Sequence, residues 1–194
     1  MSAHLSKSFL YIISVDLYRY GSGISIGSFF KHYFSTPGFR YTFWLRLAAC
    51  LSQARFIWRP AHYLCRAILY HYSLKYGISI PYNTKIGLGL YIGHHGGIVI
   101  NHKTVIGRDC NLNHGVTIGE KFGGKNPGTP IIGDRTYLGP GCKIIGRIRL
   151  GDDAAVGANA VVLDSVPDSG VVTGVPAKVI SFKGSVNYVV NTGL

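Results

Sequence analysis

Across residues 80–162 an aliphatic side chain returns at every sixth position, and this period limits the possible folds more than any other feature of the chain. The anchors are Ile80, Ile86 and Ile92, then Ile100, Ile106, Leu112 and Ile118, then Ile132, Leu138, Ile144, Leu150, Val156 and Val162. Glycine often follows an anchor, as at Gly87, Gly93, Gly107, Gly119 and Gly139, and the fourth position after one is usually small or apolar, as at Thr84, Thr104, Cys110 and Cys142. Short repeats of this kind mark a β-solenoid in which each unit is one strand and one turn. The anchors must point inward and stack, because one unit cannot bury its apolar face alone.

With three hexapeptides to a triangular coil, the repeat resembles the left-handed parallel β-helix of the hexapeptide-repeat acyltransferases. The expected fold is therefore mainly β, a left-handed parallel β-helix with an α-helical N-terminal region. Its expected divisions are residues 1–76, helical, basic and aromatic; 77–180, the solenoid; and 181–194, an extension without a clear period. The register breaks twice, by two residues around Gly96 and Gly97 and by eight in a loop spanning 119–131. Loops thrown out of a regular scaffold are where function concentrates.

Counting anchors assigns the faces. Ile80, Ile100 and Ile118 share one, Ile86, Ile106 and Ile132 the second, and Ile92, Leu112, Leu138 and Val156 the third. His94 and His114 each fall two residues past an anchor of the third face, so they should stack at about the 4.8 Å spacing of adjacent strands. Pro140 and Ala158 continue that column. His102 lies elsewhere and reads as ordinary surface.

Three motifs in order sharpen the resemblance: His94-His-Gly-Gly-Ile-Val99, His114-Gly-Val-Thr-Ile-Gly119 and Gly174-Val-Pro-Ala-Lys178. They are similar to the serine O-acetyltransferase branch of that family. The resemblance implies acetyl-CoA as co-substrate, no metal, and His94 as the general base that removes an acceptor proton during direct acetyl transfer. It further implies that Gly119, Gly139, Pro140, Gly141 and Ala158 line the pantetheine arm, that Lys178 meets the CoA phosphates, and that Ser79 and His95 serve the acceptor side; His114, one coil from His94, is expected to be catalytic with it, shaping its tautomer, its charge or the acceptor's position.

On that acceptor side the sequence departs from the branch. Gly93 stands where the branch has Asp before the catalytic His, Ser79 where it has an orienting Asp, and Gly128-Thr-Pro130 where it has the Arg-His-Pro that grips the serine carboxylate. Losing an Arg removes a bidentate clamp. The expected acceptor is therefore a sugar hydroxyl of a capsular or exopolysaccharide, free or lipid-linked, as in the similar polysaccharide-modifying enzymes. The alternatives are serine O-acetylation, a zinc lyase using His94 and His114, and a non-catalytic scaffold. A homotrimer or a dimer of trimers is expected.

Charge is uneven. Of the formal net +12, residues 1–85 carry ten Lys/Arg against one acid, hence +9, and residues 86–194 ten against seven, hence +3. Trp44, Trp58, Tyr63 and Tyr70 punctuate Arg40, Arg46, Arg59 and Arg66. Peripheral membrane contact through residues 1–76 is an expectation, with a helical cap on the solenoid as its rival; nucleic acid is not an expected partner. No apolar run reaches the roughly 20 residues of a membrane span, no signal peptide is expected, and a cytoplasmic location follows. Thr36-Pro37-Gly38 reads as a helix start, Pro60 as a divider between two helices, and Gly21-Ser-Gly23 and Gly27-Ser28 as loop. Four cysteines without metal or redox spacing read as free thiols, Cys110 and Cys142 pointing inward.

Overall fold

The computed structural model describes residues 3–21 and 23–194; Ser22, in the expected Gly21–Gly23 loop, and residues 1–2 lie outside the described residues. Among the described residues four α-helices come first: α1 (Ala3–Tyr18), α2 (Ile26–Ser35), α3 (Pro37–Ser52) and α4 (Arg59–Tyr76). Pro37 opens α3 in its first turn, as expected, where its missing N–H costs nothing. Pro60 likewise sits in the first turn of α4, and a 3-10 turn at Phe56–Trp58 precedes that helix. Gly27 and Ser28 are not loop. They form the start of α2, because the Ser25 side chain accepts from the Ser28 N–H at 3.0 Å and caps the helix. Gly77, left-handed at φ 61°, ends α4 and turns the chain into the solenoid.

Among the described residues fifteen short strands follow, and they stack as the three faces. The first sheet runs β1 (Ile78–Ser79), β4 (Ile98–Ile100), β7 (Thr117–Gly119), β10 (Lys143–Ile145), β13 (Val161–Val162). The second runs β2 (Lys85–Ile86), β5 (Val105–Ile106), β8 (Ile131–Ile132), β11 (Arg149–Leu150). The third runs β3 (Tyr91–Ile92), β6 (Asn111–Leu112), β9 (Tyr137–Leu138), β12 (Ala155–Val156), β14 (Val171–Gly174) and finally β15 (Ala177–Ser181). All pairings are parallel except β14–β15, a hairpin. This is the left-handed parallel β-helix expected from the repeat. Ile92 sits over Leu112, Leu138 and Val156, and Ile118 over Ile144 and Val162, all buried in one continuous core. Cys110 and Cys142 are fully buried in it, and burial pushes each thiol up to about 12.

The open edge of the first coil is closed by side chains from the helices. Tyr41 donates to the Ile80 carbonyl and accepts from its N–H, both at 3.1 Å. Arg46 donates to the carbonyls of Ile86 and Gly87 and pairs with the buried carboxylate of Asp16. Asp16 in turn accepts from Leu90 N–H at 2.9 Å, while burial raises its pKa against the pull of Arg46. A Cβ on Gly38 would lie 2.2 Å from the Ile92 carbonyl, so only glycine lets α3 come this close. Strand edges left bare invite foreign pairing; here they are paired internally.

Arg40 is similarly engaged, with Tyr76 and the carbonyls of Tyr33 and Phe34. Arginines counted toward a membrane-attracting charge are thus ties within the cap. Among the described residues no helix is long and apolar enough to cross a membrane. The final residues, without any period, form a strap along the third face. Ser185 is buried and donates to the Arg135 carbonyl, and Tyr188 stacks on Tyr137 at 4.4 Å.

Candidate active site on the solenoid corner

Where the third face turns into the first, His94, His114, Pro140 and Ala158 occupy equivalent places on successive coils, because their strands pair in register. The rings of His94 and His114 meet edge-on, 5.9 Å between centroids, and both residues are exposed. His95 turns elsewhere, its ring 5.4 Å from that of Tyr76. Among the described residues the ring nitrogens of His94 and His114 make no hydrogen bond to protein. An exposed imidazole with a free lone pair is what a general base requires.

Beside this column lies the outward side of the first sheet, where Ser79, Val99, Thr117, Lys143 and Val161 align across paired strands. Lys143 donates to the carbonyl of Gly115 at 2.5 Å, placing a cation next to His114. Ser79 is exposed and lines a groove of about 280 Å³ with Arg66 and Tyr70 of α4 and Tyr82. Gly119 lies away from the histidines, at the far end of β7 where the inserted loop leaves.

The small residues of the column have a structural reason of their own. A Cβ on Gly139 would approach the Val156 carbonyl to 2.5 Å, and one on Gly141, at φ 73°, would reach the Asn159 side chain at 2.1 Å. Close stacking of coils therefore demands these glycines whether or not a ligand passes. Ala158, half-way to a bare surface, is exposed.

The inserted loop is a small hairpin in which Lys121 and Gly128 exchange backbone hydrogen bonds at 2.9 and 2.8 Å. Its tip projects Phe122, 90% exposed. Lys125 donates to Asp164 at 2.8 Å, and that hydrogen bond first, then the charges of Lys125, Lys178 and Lys121, hold the Asp164 carboxyl below its usual range. Lys178, on β15, thus belongs to a basic group with two loop lysines that the repeat pattern could not place. The signal available in the sequence was only that the insertion is basic. The stem of Arg147 lies against Gly128: a Cβ there would be 3.1 Å from that of Arg147. The Arg147 guanidinium is exposed and makes no ion pair among the described residues. No group of three or more potential metal ligands occurs among the described residues.

Comparison with known proteins bears on what this corner does. The family described as bacterial transferase hexapeptide (six repeats) matches residues 129–164. Serine acetyltransferase of Helicobacter pylori strain J99 is 40% identical over 147 residues, covering 75% of this chain and 82% of that protein. The crystal structure of Neisseria gonorrhoeae serine acetyltransferase superposes with a TM-score of 0.74 at 27% identity, covering 91% of this chain and 69% of that one. A serine acetyltransferase in complex with CoA gives a TM-score of 0.73 at 26% identity, covering 90% and 70%. These likenesses overturn the expectation of a sugar or polysaccharide acceptor, since the relatives are serine acetyltransferases; they lend nothing to membrane contact.

Proposed function

Because the chain belongs to the serine acetyltransferase family of hexapeptide-repeat transferases and is an acetyl-CoA-dependent O-acetyltransferase, we propose that its acceptor is the hydroxyl of L-serine. The observation that carries this reading is the 40% identity running through 82% of the Helicobacter pylori enzyme. It outweighs three local departures at Ser79, Gly93 and Gly128, because a missing side chain does not say what fills its place.

In this reading His94 takes the proton of the serine hydroxyl as the oxygen attacks the thioester carbonyl. Backbone N–H groups of the corner hold the developing oxyanion. Collapse of the tetrahedral intermediate breaks the C–S bond, and His94 returns the proton to the departing thiolate. His114 fixes the His94 ring, since among the described residues no carboxylate pairs with it. Lys121, Lys125 and Lys178 supply positive charge for the CoA phosphates. Lys143, beside His114, is the cation proposed for the serine carboxylate within one chain, and Arg147, at the loop end of the same sheet, is proposed to reach it from a neighbouring solenoid of the trimer.

The site is completed in a homotrimer, with CoA in a groove between neighbouring solenoids. The exposed Val99 on the outer side of the first sheet and the projecting Phe122 support this arrangement. The test is CoA release with L-serine beside neutral and acidic oligosaccharides. Serine-dependent release at a kcat/KM at least a hundred-fold above any sugar is the expected result. Release with a sugar but not with serine would end the reading.

A further inference from the structure

Next to the active corner a groove of about 280 Å³ runs between α4 and the end of β1, lined by Tyr70 and Ser73 on one side and by Ser79, Pro81 and Tyr82 on the other. Arg66 is its charged wall. The guanidinium lies over the Tyr82 ring, 5.1 Å from the centroid, and the buried His62 meets that same ring edge-on, also at 5.1 Å. Arg66 is exposed and makes no ion pair or hydrogen bond among the described residues. Stacking on a fixed ring thus places the cation in advance while its N–H edge stays open.

The groove adjoins the base. A Cβ on Gly77 would lie 3.2 Å from the Gly97 nitrogen and 3.4 Å from the Gly96 Cα, so the start of β1 rests against the residues that follow His94. Ser79 then continues across paired strands to Val99, Thr117 and Lys143. With the serine hydroxyl at His94 and its carboxylate at Lys143, the amine is the substituent left to turn toward the groove. That direction does not suit an ammonium. Among the described residues the carboxylates lie on the turns between the second and third faces, around the inserted loop or, as Asp16, under the cap. An ammonium turned toward Arg66 meets like charge. We propose that the acceptor serine carries an acyl group on its amine, and that this acyl chain lies in the groove and ends in a carboxylate paired with Arg66. Acylation removes the ammonium, and a guanidinium edge matches a carboxylate with two parallel N–H···O bonds. This substrate class rests on the serine reading and narrows it: the hydroxyl, the base and the acetyl transfer are unchanged. Arg66 sets specificity without touching the reacting atoms.

The test is CoA release by the whole protein at constant ionic strength, with L-serine, N-acetyl-L-serine and N-succinyl-L-serine as separate acceptors. N-succinyl-L-serine is expected to have the highest kcat/KM, about ten-fold or more above N-acetyl-L-serine, the share of one charge-assisted pair. Arg66→Met, which keeps the stem over Tyr82 and loses the charge, should close the gap between the two acylated acceptors. A wild type that uses L-serine as well as N-succinyl-L-serine, or better, overturns the proposal and leaves the serine reading standing. Equal turnover of the two acylated acceptors, or a gap that survives Arg66→Met, also overturns it, since the charge at Arg66 then selects nothing. Release with none of the three ends the serine reading itself, and this substrate class with it. If Arg66→Met does not fold, the wild-type comparison decides alone.

Discussion

A general base needs an accessible lone pair and a neighbour that fixes its ring. His94 has the first at the solenoid corner and, in His114 at 5.9 Å, the only ring that meets it among the described residues. His94→Ala should lower kcat by roughly 10²–10⁴-fold, the usual share of acid–base catalysis, with CoA affinity nearly unchanged. His95→Ala should cost far less, because that ring packs against Tyr76, and His114→Ala should fall between. Steady-state kinetics on the three variants checks the order; a larger loss at His95 than at His94 would reassign the base. Inside the core a different residue tells a simpler story. Thr104 is fully buried and its hydroxyl has no partner. An unmet buried hydroxyl costs about 1–3 kcal/mol, so Thr104→Val should leave stability unchanged or raise it by about 1 kcal/mol in a thermal melt. Clear destabilisation would reveal a hydrogen bond to that hydroxyl.

Among the elements, α1 and α3 are joined to the first coil by the Asp16–Arg46 pair. Removing one partner of a buried pair strands the other charge, at about 3–5 kcal/mol. Asp16→Ala should lower chemical stability by that much while sparing the upper coils, which amide exchange would resolve; uniform loss of protection would show that cap and coils unfold as one. The first sheet carries the next expectation. Arg147→Gln and Lys143→Gln should each raise KM for serine about ten-fold or more with little change in KM for acetyl-CoA; an unchanged serine KM in both would place the carboxylate elsewhere. These elements also mark how far the sequence could be read. The stacking of His94 on His114 is legible, since Ile92 over Leu112 fixes it and a strand admits no other register without turning its core residues outward. The helix start at Ile26 is hidden because Gly27 and Ser28 disfavour helix until the Ser25 cap offsets them. The strap has no period, its hold resting on single contacts at Ser185 and Tyr188. Neither Lys125 beside Asp164 nor Arg147 against Gly128 follows from spacing, for each contact involves a residue of the inserted hairpin, which lies outside the repeat. Reading the acceptor from the side chain absent at Gly128 therefore pointed to a sugar, which the serine acetyltransferase relatives overturn.

For the whole molecule, the proposed trimer predicts that mass measured at working concentration is three times, or six times, that of the chain, and that dilution to monomer abolishes turnover. A monomer with full specific activity would refute it. A solenoid is in principle a polymerisable object: each end of the stack displays a coil that another copy could template. Here both ends are stoppered. Below, Tyr41, Arg46 and Asp16 occupy the groups that a second stack would need. Above, β15 runs antiparallel to β14, so the third face ends in a strand whose direction no further coil can follow. Strand pairing from one stack into the next is thereby blocked, so copies of this chain must meet through side-chain surfaces on the flanks or on the helical cap, and fibril growth by added coils is closed to it.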